Sequence, residues 1–464
     1  MSMMKGFSNV FRIPELRKKI MVTLGLVFVC RLISQVPLPG IDWAVFSEML
    51  EALKQNASMG GGLINMFDTF TGGALGQCSI GTLSIWPYIS AQIVIQLLSS
   101  VIPSLEKYKK EGETGRQQLA QITRYLTIVL CVGQAFALAM GLENPHTIDL
   151  PVPPDQALVL NPGLGFRLLT VITVTTASLF VMWVADQITT FGIGNGASLI
   201  IMINITSRLP KALQAAWERY FGVTATDKAE AGLSELVILL CLFLLVVWGT
   251  VMLVQGVRKV MIHSTRRSVS GGNMYGMQQT YMPLRVNYTG VMPIIFAQPL
   301  LQVLGAVCGF KMMPQRIQEF GKELMTAQCW EYYLIYGILI LFFTFFWVAT
   351  QFNAVEISEN LKKDGSYVPG VRPGRATAEY LDDVMTKITL IGGVALLVLA
   401  LIPPTLSNGL LHLPAVITGF FGGTSLLIIV GVALDTLRVM ESHLLVRKYD
   451  GFLEHGTLRG RGGV

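Results

Sequence analysis

The sequence predicts an all-α polytopic membrane protein, and three observations predict it. Hydrophobic residues make up 52% of the 464 positions and charged residues only 14%, where a soluble domain carries about 25% charge. Apolar runs recur from end to end with no soluble block between them, which argues against a separate globular domain. Lysine and arginine gather in alternate loops, as membrane insertion requires. The mean hydropathy of +0.55 agrees with all three.

A spanning helix needs about 20 mostly apolar residues, because lipid offers an exposed backbone no hydrogen-bond partner. Ten segments qualify: 20–36, 80–100, 122–141, 168–188, 194–209, 236–256, 289–308, 334–352, 388–404 and 415–435. The first follows a basic stretch, as a signal peptide would. It ends in Pro37-Leu38-Pro39-Gly40 rather than at a small-residue cleavage site and is therefore read as retained. Cys30, Cys78, Cys131, Cys241, Cys308 and Cys329 lie mostly inside apolar runs, form no CxxC pair and read as small core residues.

The basic residues test the count independently. The N-terminus carries Lys5, Arg12, Arg17, Lys18 and Lys19, and the second loop Lys107, Lys109, Lys110 and Arg116. The sixth loop adds Arg258, Lys259, Arg266, Arg267 and Arg285, and the eighth Lys362, Lys363, Arg372 and Arg375. All four are expected in the cytoplasm. Segment 37–79 holds only Lys54, 142–166 has no basic residue and 403–414 has no charge, so these face outward. The C-terminal tail, with Arg438, Arg447, Lys448, Arg459 and Arg461, reads as cytoplasmic too, which demands an even number of spans. Two loops run against the pattern: 187–193 lacks a basic residue, and 210–235 carries Lys211, Arg219 and Lys228.

One segment fits no simple bundle. Gly60-Gly61-Gly62 and Gly72-Gly73 bracket Leu63, Ile64, Asn65, Met66, Phe67, Asp68, Thr69 and Phe70, which are too few to cross. Two readings stand level: a re-entrant stopper hinged on glycine, and an amphipathic helix lying in the interface. In the second span Ile85 and Ile89 are four apart and share a helix face, either lining a path or facing lipid or a neighbour. Gln92 and Gln96 beside them are costly toward lipid and face the bundle. Gly192-Ile193-Gly194-Asn195-Gly196 lacks the GxGxxG spacing and reads as a tight turn between the fourth and fifth spans.

No catalytic pattern emerges. The histidines at 146, 263, 412, 443 and 455 lie outside the spans, and no HExxH, GxSxG or P-loop run occurs. The ionisable residues Arg31, Asp186, Arg208 and Asp435 sit near span ends, so no midplane acid or base is available for hydrolysis or ion coupling. The sequence therefore predicts neither an enzyme nor a metal or cofactor site.

Several stretches together resemble the SecY family, the central subunit of the bacterial Sec protein translocase. They are Phe70-Thr71-Gly72-Gly73-Ala74-Leu75, Pro87-Tyr88-Ile89-Ser90-Ala91 with Ile95-Gln96-Leu97-Leu98, and Lys109 to Arg116. Gly192 to Ser198, Val368 to Gly374 and Phe421 to Ile428 follow in the family's order, so the resemblance spans nearly the whole chain. It implies two inverted five-helix halves, 1–215 and 216–464, around an hourglass pore that passes unfolded secretory polypeptides and releases transmembrane segments sideways. The pore ring would be Ile85, Ile89, Ala197, Ile201, Ile295 and Ile428, where Ala197 departs from the family's larger aliphatic. Segment 60–75 would be the plug, with residues 63–70 at its centre. Spans two and three against seven and eight, with Gln92, Gln96, Gln134 and Gln298, would form a lateral gate.

The implied docking residues for a ribosome or motor are Arg266, Arg267, Lys362, Lys363, Arg372 and Arg375. Residues 257–288 hold five basic residues and no acidic one, a balance that suits phosphates. The family's basic pair before the tyrosine is replaced by Gly272-Asn273-Met274, which ranks Arg372 ahead of this loop as a ribosome contact. Implied partners are the SecE and SecG subunits, the SecA motor ATPase, the ribosome, nascent polypeptides and the lipid bilayer. The implied location is the bacterial inner membrane, with both termini cytoplasmic. A secondary transporter of a small solute is the rival reading, since ten spans and glycine-broken helices also describe that class. It would need polar midplane groups, which the isoleucine positions do not provide.

Overall fold

The computed structural model describes residues 14–42, 45–46, 71–143, 158–221, 233–264, 279–308, 314–325, 329–406 and 424–455. Its helices are α1 (Pro14–Ile33), α2 (Trp86–Val101), α3 (Pro103–Lys110), α4 (Glu113–Glu143), α5 (Leu164–Phe191), α6 (Gly196–Thr206) and α7 (Leu209–Phe221). They continue with α8 (Leu233–Gln255), α9 (Met292–Cys308), α10 (Gln315–Met325), α11 (Trp330–Gln351), α12 (Ala354–Lys363), α13 (Arg375–Leu406) and α14 (Thr424–His455). Among the described residues each expected span overlaps one of these helices, the tenth, 415–435, only from Thr424 onward. Five stretches among the described residues are long and apolar enough to cross a membrane: Glu113–Glu143, Leu164–Phe191, Glu235–Gln255, Trp330–Lys363 and Arg375–Ile402. The fifth expected span, 194–209, holds only the 11 residues of α6, about 17 Å of helix against a hydrocarbon core of about 30 Å.

The chain is not wholly helical. The sixth loop folds back as β1 (Val257–Ser264) and β2 (Gln279–Arg285), and β3 (Ser366–Tyr367) from the eighth loop joins them in the order β2-β1-β3. The pairing is antiparallel, with Val260 opposite Met282 and Met261 opposite Tyr281. Period-two alternation explains it: Val260, Ile262 and Leu284 are buried while Val257, Met261 and Tyr281 are exposed. Val260 and Leu284 pack with Val368, Val384 and Ile388, which seats the sheet on α13.

The chain clusters into two compact units. One comprises Met1–Asn56, Met66–Arg208 and Val432–Val464, the other Ala57–Asn65 and Leu209–Gly431, so α14 begins in the second and ends in the first.

In the first unit α4 packs on α2 and α5 and buries Thr127, Cys131, Ala135 and Ala139 at four-residue spacing. Small residues in such a stripe let helix backbones approach closely. Arg124 Nη2 meets Asp186 Oδ2 at 2.7 Å and Arg167 Nε meets Glu143 Oε2 at 2.5 Å, tying α4 to α5 near both ends. The turn between α5 and α6 is wedged. A Cβ on Gly196 would lie 2.0 Å from the Ala185 carbonyl oxygen, so only glycine fits there. The Ile193 N–H donates to Thr23 Oγ1 at 3.3 Å, and Ile193 packs with Leu16, Ile20, Val439 and Met440. Asn195 caps α6 by accepting from the Ser198 N–H at 3.3 Å.

In the second unit α9, α11 and α13 pack together. The Phe296 ring lies 4.9 Å from the Trp347 ring and 6.2 Å from that of Phe343. A Cβ on Gly392 would stand 2.4 Å from the Val286 carbonyl oxygen, so α13 touches the chain just before α9 at a glycine. Ala215, Ala216 and Tyr220 of α7 pack on Leu239 of α8.

Candidate conduit residues and their setting

In the first unit, Trp86 and Pro87 open α2, and the proline costs nothing there because its missing N–H would have no partner in the first turn. Ile85, the residue before the helix, and Ile89 within it are 2% and 4% exposed. On α6, Ile201 is buried and Ala197 is partly exposed. The two helices are joined by a polar contact: Asn204 Nδ2, one turn beyond Ile201, donates to Ser84 Oγ, the neighbour of Ile85, at 3.1 Å. Asn204 also accepts from Arg31 Nη1 at 3.3 Å.

In the second unit, Ile295 in the first turn of α9 and Ile428 on α14 are 2% and 0% exposed. A Cβ on Gly431 would lie 2.3 Å from Val291 Cγ1. Ile295 is one turn past Val291 and Ile428 one turn before Gly431, so both isoleucines flank a tight approach of α14 to the start of α9.

The glutamines are placed variously. Gln92 and Gln96 are half-buried on α2, and the Gln96 carbonyl accepts from Ser99 Oγ at 2.8 Å. Gln134 Oε1 is buried on α4 without a hydrogen-bond partner among the described residues, and Gln298 is buried on α9. Lys362 and Lys363 are exposed in the last turn of α12, where cations complement the helix dipole. Arg372 and Arg375 are exposed on the following turn, which Thr377 Oγ1 braces by donating to the Arg372 carbonyl at 2.8 Å. The segment 63–70 and Arg266 and Arg267 lie outside the described residues. Sequence reasoning missed the partners of Arg31, which is no bare end-of-span charge. Its Nη2 donates to the Gly72 carbonyl oxygen at 3.2 Å, and only its place inside an apolar run could have signalled this.

Long apolar helices, buried aliphatics and basic turns define a multi-pass α-helical membrane protein of the channel or transporter class. The SecY family model matches residues 79–437. The protein translocase subunit SecY of Thermotoga maritima is 37% identical over 459 residues, covering 99% of this chain and 100% of that protein. Its counterpart from Escherichia coli K12 is 37% identical over 453 residues, covering 97% and 96%. A solved protein-conducting channel aligns over 94% of this chain and 96% of its own, with a TM-score of 0.61 at 16% identity. Sec61 in the canine ribosome–channel complex aligns over 94% and 96%, with a TM-score of 0.57 at 16% identity. The chain belongs to the SecY family.

Proposed function

We propose that this chain is the polypeptide-conducting subunit of a Sec translocase. The observation that carries the reading is the extent of the match: translocase subunits align with 99% of the chain at 37% identity. The ten expected spans carry the chain across the membrane, the fifth with residues beyond the 11 of α6, and both termini lie on the cytoplasmic side where the basic loops gather. Ile85, Ile89, Ala197, Ile201, Ile295 and Ile428 form the constriction. Five of the six are buried and none is charged, which supports a ring that sheds water and ions and parts around a peptide. Residues 63–70 plug the outer side. Spans two and three part from seven and eight to release hydrophobic segments into lipid, past Gln92, Gln96, Gln134 and Gln298.

Lys362, Lys363, Arg372 and Arg375, all exposed, receive the ribosome or the SecA motor, with Arg266 and Arg267 upstream. SecE and SecG complete the complex in the bacterial inner membrane. The deciding experiment is photocrosslinking of a stalled secretory chain to a probe placed at Ile89 or Ile295. Adducts at both positions are expected. Their absence, with sodium- or proton-coupled uptake of a small solute by the purified protein, would replace the reading with a secondary transporter.

A further inference from the structure

Among the described residues only two other than glycine have a positive φ, Cys78 at +42° and Ser84 at +48°. For a residue with a Cβ the left-handed region is disfavoured roughly 5- to 30-fold, so it persists only where the surroundings hold it. Ser84 stands immediately before Ile85, and the turns on either side of it are closed. The Ser84 N–H donates to the Gly81 carbonyl at 2.9 Å and the Trp86 N–H to the Leu83 carbonyl at 3.1 Å. The torsion at Ser84 therefore sets the direction in which Ile85 leaves the turn before α2. Relaxing it to the ordinary right-handed region is a rotation of about 110°.

A side chain of α6 braces this residue. Asn204 Nδ2 donates to Ser84 Oγ at 3.1 Å, and Asn204 and Ser84 are 3% and 5% exposed. Arg31 aims the amide: its Nη1 donates to Asn204 Oδ1 at 3.3 Å. A guanidinium has no acceptor, so the carbonyl end of the amide faces Arg31 and the NH2 end is left for Ser84. All three residues belong to the first unit. A buried hydrogen bond between neutral groups shifts an equilibrium roughly 2- to 13-fold. That is the same order as the penalty on the torsion, so brace and strain are closely matched and losing the brace changes the balance.

We propose that Asn204 is a positioning residue for the constriction: it keeps Ser84 left-handed and thereby keeps Ile85 in its buried place. When the contact between α6 and the start of α2 opens, Ser84 relaxes and Ile85 swings away. The place of Ile85 in the ring rests on the proposed function, whereas the coupling of Asn204 to the backbone at Ser84 does not.

The test uses glycine, which takes the left-handed conformation without a brace. Full-length Ile85→Cys protein in neutral detergent is treated with a charged methanethiosulfonate, and labelling at position 85 is followed by peptide mass spectrometry. Adding Asn204→Ala is expected to speed labelling roughly 2- to 13-fold, the value of the lost hydrogen bond. Ser84→Ala should do the same, because it removes the hydroxyl and keeps the strained torsion. Ser84→Gly removes the same hydroxyl yet should leave the rate unchanged, and combined with Asn204→Ala it should bring the rate back. Asn204→Ala also strips Arg31 of a partner, a loss that glycine at 84 cannot repair, so melting temperature should stay low while labelling recovers. Labelling unmoved by Asn204→Ala, or not restored by Ser84→Gly, overturns the proposal. In planar bilayers, without the cysteine, Asn204→Ala should leak ions and Asn204→Ala/Ser84→Gly should not. If labelling follows the expected order while every variant stays tight, Ile428→Asn included, the brace stands and the ring falls.

Discussion

Arg31 Nη2 donates to the carbonyl oxygen of Gly72 at 3.2 Å, and Ser207 Oγ donates to the same oxygen at 3.2 Å. The other arm of the guanidinium reaches Asn204 Oδ1, whose amide in turn donates to Ser84 Oγ. A single arginine near the end of α1 thereby holds the turn at Gly72 against α6, and α6 against the start of α2. Arginine suits the task because its planar fork carries donors in two directions, whereas an ammonium offers one compact centre.

Removing that fork should be costly. In Arg31→Met the Asn204 side chain, only 3% exposed, loses a donor in a place water does not reach, worth about 1–3 kcal/mol. Arg31→Lys should recover only part of this. Thermal unfolding in detergent should rank wild type above lysine above methionine, and equal melting of all three would mean that the node does not hold the unit together.

Glycine positions near this node divide by mechanism. Gly72 has φ +70°, and a Cβ there would lie 2.4 Å from Arg31 Nη1 and 3.0 Å from the Asn204 backbone. Gly73 has φ +91° and open space around it, so Gly73→Ala incurs only the left-handed backbone cost of about 1–2 kcal/mol. Gly196→Ala would drive a methyl into the Ala185 carbonyl, a backbone atom that cannot swing aside. The expected order of destabilisation is Gly196→Ala, then Gly72→Ala, then Gly73→Ala, read from folded yield and melting temperature. A Gly196→Ala protein as stable as Gly73→Ala would refute the wedge.

The helical class was legible because an apolar run of span length is a local property, and five such runs among the described residues are long, apolar helices. The strands β1 and β2 were not read, although Val257, Val260, Ile262 and Leu284 show the alternation. The loop's basic residues drew attention to charge while its period went uncounted. Gly192 to Gly196 was legible as a tight turn, yet what makes it tight, Thr23 and the Ala185 carbonyl, is a property of packing. The Arg31 node was illegible for the same reason, its partners being 41 and 173 residues away in sequence. Ile85, Ile89, Ile201, Ile295 and Ile428 were picked by resemblance; pattern alone did not separate them from other aliphatics in their spans.

Cys78 offers a chemical probe of the turn before α2. It is 4% exposed, and burial pushes its thiol up to about 12. A raised thiol pKa means the neutral form persists as pH rises, so at pH 8 the thiolate fraction is on the order of one in ten thousand. N-ethylmaleimide at pH 8 should therefore leave Cys78 unmodified in the folded protein and label it rapidly in dodecyl sulfate, as peptide mass spectrometry would read. Labelling at equal rates in both states would show the turn to be open.

The ion pairs joining α4 to α5 should differ in strength. The side chains of Arg167 and Glu143 are 31% and 10% exposed, against 50% and 29% for Arg124 and Asp186. Coupling grows as solvent screening falls. A double-mutant cycle with Arg167→Ala and Glu143→Ala should give the larger coupling energy and the Arg124–Asp186 cycle the smaller. The reverse order would mean that exposure does not govern these pairs.

Ile428 tests the constriction most directly. It is fully buried on α14 one turn from the Gly431 contact with Val291, so Ile428→Val should be tolerated at a cost of about 0.5–1.5 kcal/mol. Ile428→Asn introduces an amide of similar size that holds water. If the residue belongs to the ring, wetting lowers the barrier to ions, because an apolar constriction blocks them by staying dry. Planar-bilayer recordings should show leak conductance for Asn and none for Val, and cells carrying Asn should export a reporter with a defective signal sequence. An Asn variant that melts like the Val variant, conducts no ions and leaves the reporter unexported would remove Ile428 from the ring.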